Sequence, residues 1–154
     1  SIMKPVFQQL RILYYALLAG QVLFAAVVYF LLSGEMTAHA PAGTAAFQWL
    51  VPPIILAGAG AAYFLNRQRQ AQLDQLTDLP AKAAHYRNSV IIRSALMEGA
   101  NFFAVIAALV DVNMTYLLYF AVGLLAFIYF RPSVGEFSRT YALSAAEREQ
   151  LKKI

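Results

Sequence analysis

Four stretches of this chain, residues 10–32, 49–65, 90–110 and 114–130, are apolar at almost every position, and polar residues gather between and after them. A bilayer's hydrocarbon core, ~30 Å thick, needs about 20 helical residues to cross it, so the first and third runs are of full span length and the second and fourth are shorter. Pro52 and Pro53 suit a first helical turn, where a missing N–H costs nothing. After Leu65 the sequence NRQRQAQLDQLTDLP turns polar with no breaker before Pro80, so the second helix is predicted to continue past its apolar part. Thr77 or Asp78 can cap a new helix with Pro80 in its first turn, and the third helix then runs about 30 residues with its first third in water. Only DVNMT separates it from the fourth, which forces the two to pack as antiparallel neighbours. Arg131 followed by Pro132 stops the fourth helix. Ser144 with Glu147 three residues on is a capping box, which predicts a short surface helix from about Ala145 at a solubilising end. Docking of that helix on a membrane surface through Leu151 and Ile154 is the weaker reading.

The pattern predicts an all-α integral membrane protein with four transmembrane helices in an antiparallel bundle, helices two and three extending into the cytoplasm. Residues 1–132 form the transmembrane domain, with 66–89 as a cytoplasmic connection, and 133–154 form a cytoplasmic C-terminal tail. The first run is read as a true span, because it is longer than a signal peptide's apolar region and no small-residue cleavage site follows it before Ser33. Lys4 precedes it and Arg11 stands at its very start, Arg67, Arg69, Lys82 and Arg87 lie between the second and third runs, and Arg131, Arg139, Arg148, Lys152 and Lys153 follow the fourth. The segment 33–48 holds no Lys or Arg and reads as a flexible outer connector, with Trp49 at the outer interface. By the positive-inside rule both termini are cytoplasmic and the protein is expected to be multi-pass; the cell inner membrane is the location expected from the resemblance given below.

Composition narrows the function. The 154 residues are 60% hydrophobic and 13% charged, where a soluble domain carries about a quarter charged residues. The net charge of +4 comes from residues beside the spans, where it sets topology, so no nucleic-acid partner is expected. With no cysteine, thiolate metal sites, thiol catalysis and disulfides are excluded. His39 and His85 fall on opposite sides of the membrane in this topology, and no nucleophile–base pair or phosphate loop appears. The expectation is a non-enzyme without cofactor or metal.

One carboxylate lies inside a span. An acid at the centre of a membrane helix costs about 2.5–3.5 kcal/mol on insertion scales, so Glu98 is the best functional lead in the chain. Ser94, Glu98 and Asn101, spaced four and three apart, share a helix face, whereas Arg93 lies about 140° round from Glu98. Lipid cannot satisfy that polar stripe, so it must look into a bundle or an oligomer interface. Gln21, in the middle of the first run, is the candidate partner, and a nearby Tyr is the other; Tyr14 and Tyr15 themselves read as interface aromatics. Gly58 and Gly60 in LAGAGAAYF, with Gly99 and Gly123 on the later helices, are the candidate positions for close helix packing.

ALLAGQVLFAAVV from Ala16 and ALMEGANFFAVIA from Ala95 match at Ala, Leu, Gly, Phe and Ala, with Ala19 opposite Glu98, which would make the chain two parallel helical hairpins. The run GAGAA, a basic connection, and then ALMEGANFFAVIAALV resemble, over residues 56–110, the hairpin of the proteolipid c subunit of rotary ATP synthases. That resemblance implies an ion-carrying carboxylate at Glu98. The whole chain also resembles the small four-span inner-membrane proteins of bacteria, a likeness that implies no activity. Two functions follow: an assembly or accessory subunit of a larger membrane complex, with the stripe around Glu98 as interhelical glue, or a proton or cation pathway in which Glu98 titrates. The partners expected are the lipid bilayer and either a homo-oligomer or a hetero-complex with other membrane proteins.

Overall fold

The computed structural model describes residues 3–34 and 46–152, and among these the regular structure is entirely helical. Helix α1 spans Met3–Ser33, α2 Val51–Gln70, α3 Leu79–Val110, α4 Tyr116–Tyr129, α5 Val134–Thr140 and α6 Ala145–Lys152, with a single 3-10 turn at Leu73–Gln75. Most of the expected connector from Ser33 to Gln48, including His39, lies outside the described residues, as does Ile154.

The helix ends follow the local chemistry. Asp78 caps α3 by accepting from the Ala81 N–H at 2.9 Å, and the Ser144–Glu147 box closes in both directions at 3.2 and 3.1 Å. Helix α3 finishes with Val112 at φ 49°, the Val112 N–H donating to the Leu109 carbonyl and the Asn113 N–H reaching back to that of Ala108. Helix α5 ends in the same way at Ala142, φ 47°. Glycine normally occupies this left-handed position in a helix-ending motif, and both side chains here are strained by it.

Helix α3 is the axis of the fold, touching α1, α2 and α4. Its small buried residues Ala100, Ala104, Ala107 and Ala108 let neighbours approach on several sides. Helix α1 runs beside it in the same direction, Phe7 meeting Tyr86 at one end and Gln21 meeting Asn101 further along. Helix α2 returns, Gly58 lying against Ala100 and Arg69 against Ser89, and α4 also returns, Gly123 against Asn101 and the Phe130 carbonyl at Arg93. Helix α1 buries one stripe, Met3, Phe7, Leu10, Tyr14, Gln21, Val28 and Leu32, while Leu23 and Phe30 on its other side are 67% and 73% exposed. That spacing of four and three or multiples of seven is a single packing seam, and the rest of the helix offers an apolar surface.

Two described helices, α1 and α3, are long and apolar enough to cross a membrane, and α4 with α5 makes a third candidate if that pair, bent by 66°, is taken as one span. Helix α2 falls short because its apolar part ends at Leu65 and its last turns are polar. Helix α4, with 14 residues, covers about 21 Å at 1.5 Å per residue.

The C-terminal segment differs from the expected solubilising tail. Phe137, Tyr141, Leu143 and Leu151 are buried with Met3, Phe7, Leu10, Leu79, Ala83, Tyr86 and Val90 in one cluster, so α5 and α6 cap the end of the bundle where α1 and α3 begin. Leu151, which only the weaker reading set against a membrane surface, is inside this cluster. The bend before α5 is held by Tyr86, whose hydroxyl donates to the Ser133 carbonyl at 3.3 Å and accepts from the Ser133 N–H at 3.0 Å.

Candidate functional site

Inside the candidate spans the polar stripe of α3 divides into two sites. Asn101 is 1% exposed and donates through Nδ2 to Gln21 Oε1 at 2.8 Å. Its side-chain oxygen occupies the space a methyl at Gly123 would need, and that methyl would also lie 3.1 Å from Ile55 Cδ1. One amide therefore ties α1 to α3 and fits beneath α4 because residue 123 has no side chain. Gln21, expected to serve Glu98, is committed to Asn101 instead, its own Nε2 also donating to the Leu17 carbonyl at 3.3 Å.

Ser94 and Glu98 belong to the second site. They line a cavity of ≈ 170 Å³ between α1 and α3 whose other walls include Leu10, Leu13, Tyr14, Leu17 and Ile91. Ser94 is 2% exposed and its Oγ has no hydrogen-bond partner. Glu98 is partly buried, and none of the hydrogen bonds or ion pairs among the described residues reaches its carboxylate. The expectation of a Glu98 buried against Gln21 or a Tyr is thus corrected. The same cavity brings in Tyr14, but its hydroxyl donates to the Phe127 carbonyl and its ring stacks on Phe127 at 4.6 Å, so it is a packing residue and not an interface anchor.

The packing glycines divide too. A methyl at Gly58 would stand 2.6 Å from Ala100 Cβ, so α2 and α3 need glycine there, whereas nothing lies within 4 Å of such a methyl at Gly60 or Gly99. Gly58 and Gly123 are close-contact positions; Gly60 and Gly99 face outward.

A third polar site lies where the spans meet the cap. Arg93, 2% exposed, pairs with both oxygens of Glu136 at 2.7 and 3.2 Å, donates to the Phe130 carbonyl at 2.7 Å and to Asn66 Oδ1 at 3.3 Å. One guanidinium thereby joins α2, α3, the end of α4 and α5, using the forked geometry that suits a carboxylate. Beside it Arg69 Nε donates to Ser89 Oγ at 2.6 Å and the Tyr141 hydroxyl meets His85 Nδ1 at 2.5 Å. His85 Nε2 lies 3.3 Å from Gln72 Oε1, an arrangement that places the ring proton on Nε2 and leaves Nδ1 to accept from Tyr141. Burial first, and then the Arg69 charge, hold His85 below its ordinary pKa, and burial pushes the Tyr141 hydroxyl up to about 12. The cleft among these groups has a free volume of ≈ 10 Å³, about one water, so this cluster is a joint with no room for a substrate.

At the opposite end Asp111, 6% exposed, accepts from the Tyr116 hydroxyl at 2.8 Å and the Phe47 N–H at 2.9 Å, pinning the approach to α2 onto the turn between α3 and α4. Neither this site nor the Arg93–Glu136 pair shows in the pattern of polar and apolar residues. For the start of α5 a signal existed: Ser133 is an N-cap whose Oγ accepts from the Glu136 N–H at 3.0 Å, while the Glu136 carboxylate, instead of returning to the Ser133 N–H, pairs with Arg93. Among the described residues no group of three or more His, Asp or Glu could hold a metal ion. No protein-family model, no curated protein and no solved structure matches this chain.

Proposed function

We propose that the chain is a non-enzymatic, four-span bundle of the inner membrane, with both termini cytoplasmic, that serves as an assembly or accessory subunit of a larger membrane complex. The observation that carries this reading is the unpaired carboxylate of Glu98. Within a span an ionisable group faces the bundle interior or a polar cavity and finds a partner. Among the described residues Glu98 has none, and it opens toward a groove between α1 and α3, so we take its partner to come from outside. The other polar groups support a structural role: Asn101 with Gln21, Asp111 with Tyr116 and Phe47, and Arg93 with Glu136 each join one helix to another. Interhelical hydrogen bonds of this kind contribute about 1 kcal/mol each.

The alternative, a proton or cation pathway through Glu98, needs polar groups leading from it toward both faces. The nearest polar residue along the stripe, Asn101, is bonded to Gln21 and not to Glu98. The test is the size of the native particle. Extracted from its own membrane in mild detergent, the protein should run well above one chain plus its micelle. A single chain at native expression level would sink the assembly reading, and proton or sodium flux from the purified protein in liposomes would favour the pathway.

A further inference from the structure

Among the described residues the Ser94 hydroxyl has no hydrogen-bond partner and no hydrogen bond or ion pair reaches the Glu98 carboxylate, and the two groups share one cavity. Its walls are otherwise leucine, isoleucine, valine, alanine and the Tyr14 ring, so an occupant must join a polar end to an apolar body. Its ≈ 170 Å³ slightly exceeds the apolar cavity of ~150 Å³ that holds a benzene, so a body of four to six carbons fits.

Resting on the assembly reading above, we propose that this groove receives a lysine side chain from a membrane helix of a different protein. An ammonium has three donors and no acceptor. The Glu98 carboxylate takes two of them, the Ser94 hydroxyl the third, and the four-carbon stem lies among Leu13, Leu17 and Ile91. A guanidinium brings five donors, two more than these acceptors serve, so the cavity selects lysine over arginine.

A second copy of this chain in the same orientation carries no unpaired Lys or Arg level with Glu98. Residues 12–66 and 94–130 contain no Lys or Arg, and Arg93 is already paired with Glu136. Arg87 lies about 16 Å from Glu98 along α3, too far to neutralise it. The groove is also open to a backbone: Ala16, Ala19 and Gly20 on α1 and Ala95 and Gly99 on α3 are exposed, and nothing lies within 4 Å of a methyl built at Gly20 or Gly99. Small residues on both rims let another helix come close enough for its side chain to reach inward.

The test uses the full chain in liposomes, donor-labelled, with acceptor-labelled Leu/Ala helices of about 22 residues, long enough to span. One carries a lysine at the depth of Glu98, and the others carry leucine, arginine or glutamate there. The lysine helix should associate about tenfold more tightly than the leucine helix. Glu98→Gln should remove that preference with the helix content unchanged, Leu13→Trp should remove it by filling the cavity, and Ser94→Ala should weaken it about threefold. Equal binding of the lysine and leucine helices, a preference that survives Glu98→Gln, or stronger binding of the glutamate helix would each overturn the proposal. A large native particle without lysine preference would sink this inference alone, whereas a monomeric native particle strikes the assembly reading itself.

Discussion

The Arg93–Glu136 pair makes the cap part of the bundle, and replacing Glu136 by Gln asks how strongly. The substitution keeps the shape and one acceptor oxygen but removes the charge facing a guanidinium whose side chain is only 3% exposed. At ~4 Å two charges attract by about 4 kcal/mol at an effective dielectric of 20. Breaking one partner of a fully buried pair costs about 3–5 kcal/mol. Glu136 is 28% exposed, and Arg93 keeps its bond to the Phe130 carbonyl, so the loss should fall to about 2 kcal/mol. The pair acts on α5 and α6, and local opening of that cap should rise by about 30-fold, one factor of ten per 1.36 kcal/mol. Trypsin cleavage after Arg139, which is exposed but held in the last turn of α5, reads this opening when reclosing outpaces cutting. Arg93→Met with Glu136→Met should recover most of the loss, because two apolar residues leave no unpaired charge. Cleavage within about threefold of wild type in Glu136→Gln would refute the idea that this pair fastens the cap.

Gly123→Ala should cost about 2–3 kcal/mol in detergent unfolding, since the methyl displaces Asn101 and breaks its 2.8 Å bond to Gln21, and adding Asn101→Ala should make the cost non-additive by restoring room. Ala142→Gly should stabilise the cap by about 0.5–1 kcal/mol in the same assay, because an exposed alanine at φ 47° exchanges left-handed strain for some added chain entropy. Acid should loosen the cap in two stages, followed by the Arg139 cleavage rate. His85 is held below its ordinary pKa, so the unfolded chain binds the proton better and stability is lost as pH falls below about 6.5. Glu147, lowered chiefly by the Ser144 N–H and then helped by Lys82 at 3.1 Å, contributes stability above about pH 4.3 that is lost as pH falls through its folded value. His85→Gln should remove the upper stage and leave the lower.

Whatever depends on neighbours along the chain was legible in the residues. The apolar runs, the polar continuation of α2, the long α3 capped at Asp78, the short turn before α4 and the Ser144–Glu147 box all appear where residue order puts them, because caps and periodicity act over a few positions. Glu98 was also visible, since a carboxylate in an apolar run is anomalous in any fold. The partners were not. Ser94, Glu98 and Asn101 share a face by helical geometry, yet Gln21 chose Asn101, Gly123 made the room, and Ser94 and Glu98 were left with a cavity. The register between α1 and α3 decides that choice, and it is set by packing along the whole seam from Phe7 to Leu32. The Arg93–Glu136 and Asp111–Tyr116 contacts likewise exist only once α5 folds back and α4 returns. Sequence by itself determined which segments are apolar helices and where they stop. Only the tertiary structure decided which buried polar groups meet, because a hydrogen bond needs its two atoms within about 3 Å, and residue spacing along one helix says nothing of the height at which another packs beside it.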